Sequence, residues 1–125
     1  MDPKGLLVAT GLVCFSAAFL SGGWPLIRQP EPRAAKARAA GLPVNDLFVR
    51  ASGVAMIALA LSVVFVPAVR AAAAVLLALE LVPITYSGHR FWTLEPGPQR
   101  NGQRIEFFKN LSLFGAALAI AGYST

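Results

Sequence analysis

Charge is scarce in this sequence. Only 14% of its 125 residues are charged, six of them acidic, whereas ordinary globular chains carry about 25% charged residues. Hydrophobic residues make up 56%, and mean hydropathy is +0.62. Too little polar surface remains to cover a water-soluble particle of this size, which excludes a conventional soluble domain. Cysteine and histidine are nearly absent, with one of each, Cys14 and His89. A single thiol excludes an intramolecular disulfide. One His and one Cys without a neighbouring acidic cluster exclude a zinc site built from this chain alone, so no metal is expected. CxxC pairs, haem-attachment motifs, phosphate-binding loops and nucleophile elbows are missing, as are internal repeats. Cys14 lies inside an apolar run, where a thiol is expected to pack as a small hydrophobe.

What the chain does have is basic residues and long apolar runs. The net charge of +5 would suit nucleic acid, but the basic residues lie in gaps between apolar runs and form no continuous patch, so no nucleic-acid partner is expected. The first run, 5–27, is uncharged between Lys4 and Arg28, and a spanning helix needs about 20 residues. A lysine ahead of such a run also suits a signal peptide, but no clear small-x-small cleavage site follows, and a retained helix is expected. The second run, 51–69, is preceded by Asn45 and Asp46, either of which can cap a helix over 47–66 that Pro67 ends. The third helix, 70–88, holds Glu80 inside its apolar run, and Pro83 can bend it without ending it. The fourth must start near Ile105 to span, giving 105–123. Lys109 then sits about 6 Å along that helix, within snorkelling reach of the headgroups. Trp24, Phe91, Trp92, Phe107, Phe108 and Tyr123 fall at helix ends, as membrane-interface anchors do. The fold expected is all-α, an integral membrane four-helix bundle in a lipid bilayer, forming one domain over 1–125.

The long connections 28–46 and 89–104, with the helix starts beside them, hold every basic residue except Lys4 and Arg70. By the positive-inside rule these connections face the cytoplasm and both termini face outward. Within the first, 30–40 reads as a short Ala-rich helix ended by Gly41. It lacks the large apolar face of an inserted helix and is expected to be solvated, touching anionic lipid. The second contains Pro96, Gly97, Pro98 and an Asn101-Gly102 pair, so 93–102 is expected to be turn-rich and mobile.

Helices in lipid associate through close packing and polar contacts. Gly115 with Ala119, and Ala51 with Ala55, form small-xxx-small pairs, which a chain so rich in Ala also produces by chance. Glu80 is the most informative single residue. A charged carboxylate near mid-membrane costs about 2.5–3.5 kcal/mol on insertion scales, so it should face the bundle interior or be protonated. It shares a helix face with Leu76, Leu77, Ile84 and Ser87, whereas His89 falls on the opposite side. Arg50 and Lys109 are its cationic candidates. Glu80 reads either as a proton or ligand site or as a structural hydrogen bond that locks the bundle. A second polar group gathers at the cytoplasmic surface. Glu106, Lys109 and Asn110 share one face of the fourth helix, Asp46 and Arg50 are spaced i, i+4 on the second, and His89 and Trp92 close the third. A polar pocket for a headgroup or quinone ring among these three helices would use Arg50, His89, Trp92, Lys109 and Asn110; the alternative is ordinary interfacial anchoring. Glu80 and His89 are the candidate catalytic groups.

An ordered set of features resembles the DoxX family of small four-helix membrane proteins over nearly the whole chain. It comprises Ser21-Gly22 closing the first helix, Gly41-Leu42-Pro43 before the second and Gly53 within it. His89 with Phe91-Trp92 follows the third helix, and Phe108-Lys109-Asn110-Leu111 opens the fourth. The family commonly carries an acid soon after the glycine of the second helix. Met56 occupies that neighbourhood here, and Glu80 is the acid that could substitute from the third helix. The resemblance implies a bacterial plasma-membrane protein with relatives linked to thiosulfate and quinone redox chemistry or to membrane oxidoreductase assemblies.

Three functions follow as expectations. The first is an accessory or anchoring subunit that supplies a lipid or quinone pocket to membrane oxidoreductase subunits. The second is a quinone-linked oxidoreductase acting on a small sulfur compound, with His89 or Glu80 moving protons. The third is a small carrier, which four helices without an inverted repeat would support only as a homo-oligomer.

Overall fold

The computed structural model describes residues 1–125 and contains helices and turns only. Helix α1 spans Pro3–Arg28. The Asp2 carboxylate caps it by accepting from the Gly5 amide at 2.7 Å, and Pro3 occupies the first turn, where its missing N–H costs nothing. Helix α2 spans Glu31–Ala39 and α3 spans Asp46–Phe65. Asn45 caps α3, its side-chain oxygen accepting from the Phe48 amide at 2.8 Å. A 3-10 turn, Pro67–Val69, leads into α4, Arg70–Gly88. A second such turn, Phe91–Thr93, precedes α5, Pro98–Tyr123. Helices α1, α3 and α5, and α4 with its flanking turns, are long and apolar enough to cross a membrane. The fold is thus an all-α bundle with four membrane-length helices.

The packing runs in sequence: α1 lies on α3, α3 on α4, and α4 on α5, while α2 rests against α4 and α3. Small residues set the spacing. A Cβ added to Gly53 would stand 2.7 Å from the Gly23 carbonyl oxygen and 2.8 Å from the Leu26 Cβ, so these two glycines let the α1 and α3 backbones nearly touch. Close backbone approach is how helices gain dispersion contact where water supplies no drive. The buried Ser16 hydroxyl adds a polar contact to the same seam, donating to the Ala60 carbonyl at 3.0 Å. Phe19, Val63, Leu77, Ala60, Ala74 and Ala117 are fully buried between the helices. At the other end of the bundle from α2, the Arg70 guanidinium donates to the Val63 and Val64 carbonyls at 2.5 and 3.1 Å. It thereby satisfies carbonyls that the end of α3 leaves open and sets a cation at the negative pole of that helix.

Several expectations change here. The fourth membrane-length helix begins at Pro98, not near Ile105. Gly97 adopts φ 151°, a conformation open to glycine alone, and Pro98 then starts the helix with its φ already set. The Asn101-Gly102 pair lies within the first turns of α5 and makes no loop. Gly115 of the Gly115/Ala119 pair makes no close crossing, since nothing lies within 4 Å of a Cβ placed on it. Helix α2 is docked and not merely solvated, with Ala34 and Ala37 buried. Cys14 faces outward from α1.

Candidate functional site: a groove between α3 and α4

Between α3 and α4 lies a groove of about 610 Å³ that α2 covers at one end. Its walls are apolar: Phe48, Val49 and Leu59 from α3, and Leu76, Leu79 and Ile84 from α4. Two polar features interrupt them. Midway along α4, Glu80 is half-buried, and its Oε2 accepts from the Ser52 hydroxyl at 3.1 Å. At the α2 end stand Arg33 and Lys36, with Ser87 and Gly88 opposite them. The Lys36 ammonium donates to the Gly88 carbonyl at 3.1 Å, which pins α2 over the last turn of α4 and places a cation at that helix's negative pole. Gly88 and Glu80 are eight residues apart, so the mouth and the carboxyl are separated by about 12 Å along the helix.

Glu80 faces the groove, and its partner is a hydroxyl. Neither Arg50 nor Lys109 pairs with it. Arg50 is exposed on α3, and Asp46 pairs not with it but with Arg38, at a loose 3.9 Å. Lys109 is held by Glu106 on its own helix at 2.9 Å, an exposed pair worth about 0–1 kcal/mol. His89, Trp92 and Asn110 lie at the α4/α5 seam and do not line the groove. His89 Nδ1 is 2.7 Å from Gln103 Oε1. The contact is made when Nδ1–H donates to that amide oxygen, in the tautomer that leaves Nε2 free. The buried Asn110 donates to the Thr85 hydroxyl at 3.1 Å. Trp92 joins Phe91, Phe107 and Phe108 in a cluster of edge-on and tilted rings, and Arg90 stacks over Tyr86.

The pocket expected among the second, third and fourth spans therefore does not form, because α5 packs on α4 and not on α3. Its intended members Arg50, His89, Trp92, Lys109 and Asn110 are divided between the exposed surface and an inter-helix seam. The groove recruits Ser52, Arg33 and Lys36 in their place. Ser52 carried a readable signal, as one of the few hydroxyls in an apolar helix. Arg33 and Lys36 lie three apart on α2, hence on one face, but nothing local shows that this face turns toward α4.

Chemically the groove offers an apolar slot, a hydroxyl and carboxyl part-way down, and two cations at the mouth. Fold and groove together define a class, the multi-pass helical membrane protein with an amphipathic cleft. No protein-family model matches the chain, and no curated protein or solved structure matches it.

Proposed function

We propose that this chain is a DoxX-like accessory subunit of a redox assembly in the bacterial plasma membrane, holding a lipid or quinone in the α3/α4 groove. The observation that carries the reading is the groove itself: an apolar slot of about 610 Å³ with its polar groups confined to Ser52–Glu80 and to the mouth. Ligand sites are typically concave, mostly apolar and fitted with a few placed polar groups. The accessory role is supported by the small mass outside the membrane-length helices and by a sequence without a cofactor motif. In this reading both long connections face the cytoplasm and both termini lie outside. Purification in a gentle detergent followed by solvent extraction tests it. Co-purifying oxidoreductase subunits and a stoichiometric amphipath are expected; free protein with neither would overturn the proposal.

A quinone-linked oxidoreductase is the second reading, favoured by one observation, that Glu80 is the carboxyl lining the groove. A proton-transferring acid must lie within hydrogen-bond reach of its substrate. Quinone reduction unchanged by Glu80→Gln would count against this reading.

A further inference from the structure

We infer that the occupant of the groove is an anionic phospholipid, its phosphate held by Arg33 and Lys36 and one acyl chain laid between α3 and α4 past Ser52 and Glu80. This rests on the groove being a ligand site, as proposed above, and adds the chemical class of the ligand.

Charge at the mouth is the first argument. Arg33 and Lys36 share a face of α2 and line the groove from the end where the basic connections gather. The chain's two direct ion pairs are Arg38–Asp46 and Lys109–Glu106, so neither cation at the mouth is bonded to a carboxylate; Arg33 only feels the charge of Glu106 from a distance. Lys36 uses one of its three donors on the Gly88 carbonyl. Arg33 donates to no group of the protein within hydrogen-bond distance, although its guanidinium lies near Gly88. A guanidinium and an ammonium with spare donors side by side match a phosphate, which offers several acceptor oxygens and a negative charge. A neutral quinone ring can accept a hydrogen bond at a carbonyl but would leave both charges uncompensated.

Length is the second. The groove reaches from Gly88 down to Leu76, about 18 Å at 1.5 Å per residue. Half of the roughly 30 Å hydrocarbon core is about 15 Å. The slot therefore has the depth of one leaflet, starting at its cationic headgroup level. The Ser52 hydroxyl is already paired with Glu80 Oε2, so an acyl chain passing it need not supply an acceptor.

The test uses the full chain in a neutral detergent. Phosphatidylglycerol and phosphatidylcholine carrying a photoactivatable acyl chain are each crosslinked and mapped, and binding is titrated by native mass spectrometry. Phosphatidylglycerol is expected to label residues 48–59 and 76–84 and to bind more tightly than phosphatidylcholine. A basic residue near an anionic surface contributes roughly a fivefold change in affinity. Arg33→Gln, which removes no bond within the protein, should therefore weaken phosphatidylglycerol about fivefold and leave phosphatidylcholine unchanged. Lys36→Arg should preserve the preference. Equal binding of the two lipids, indifference to Arg33→Gln, or full displacement by inorganic phosphate alone would overturn the inference. Ubiquinone labelling the groove without lipid selectivity would overturn it while leaving the accessory reading in place. No labelling of the groove by lipid or quinone would remove both.

Discussion

The Ser52 hydroxyl donates to Glu80 Oε2 at 3.1 Å, a polar bridge from α3 to α4 across the groove. A carboxyl half-way through a membrane-length helix is costly without a partner, and here the partner is a side chain from the neighbouring helix. Ser52→Ala should lower the stability of the bundle by about 0.6 kcal/mol, and by no more than about 1.7, the range of such bonds in membrane proteins. Glu80→Gln keeps an acceptor for the hydroxyl and should cost less. Reversible unfolding in mixed micelles measures both, and a Glu80→Gln loss exceeding that of Ser52→Ala would assign Glu80 a role beyond this bridge.

The crossing of α1 and α3 should be intolerant of side-chain volume. With the Gly23 carbonyl oxygen 2.7 Å from where a Gly53 Cβ would stand, the backbones must separate to admit even a methyl group. Gly53→Ala should destabilise by about 1–3 kcal/mol, the usual cost of overpacking, and Gly53→Val by more. Gly115→Ala meets open space and should stay within about 0.5 kcal/mol of the parent. Thermal unfolding of the three variants in one detergent makes the comparison.

Helix α2 should depend on one lysine. The bond from Lys36 to the Gly88 carbonyl is the polar tie that fastens it to α4, supported by the buried Ala34 and Ala37. Lys36→Met should raise amide hydrogen exchange over 31–39 while leaving α1 and α3 protected, since local opening follows the loss of local contacts. Lys36→Arg should restore protection. Exchange spreading through all helices equally would mean that α2 is integral to the core.

Orientation can be read chemically. In a Cys14→Ala background, Glu95→Cys should resist a membrane-impermeant thiol reagent applied to intact cells, and Ser124→Cys should react, as the positive-inside rule requires. The opposite pattern would invert the topology and put Arg33 and Lys36 on the outer leaflet.

The membrane-length helices were legible in the sequence because hydropathy acts on each segment alone: three of the four lie within a few residues of the apolar runs that announce them. The start of α5 was not. Gly97 and Pro98 act as a cap and a first helical residue only when the chain ahead of them is already directed, and the same pair equally suits a turn. With Gln103 assigned to a loop, its contact with His89 was not legible. Glu80 was legible as a costly residue facing inward. Its partner was not, because Ser52 lies 28 positions away, and which helices meet is a property of packing. The division of Arg50, His89, Trp92, Lys109 and Asn110 has the same cause. Helix lengths alone put all five near one end of the bundle, but a shared level brings residues together only if their helices are neighbours.

The bundle is also fastened unevenly. Glycine-to-glycine contact and Ser16 lock α1 to α3, while Gln103 with His89 and Asn110 with Thr85 stitch α5 to α4. Between these two couples the long seam carries the Ser52–Glu80 bridge midway, the Arg70 clamp on the end of α3 at one end and a short helix laid across the other. Each couple must therefore travel as a stiff plank hinged at the Arg70 end, so any breathing of the molecule concentrates at the opposite end of that seam, with α2 as the strap that limits how far it can gape.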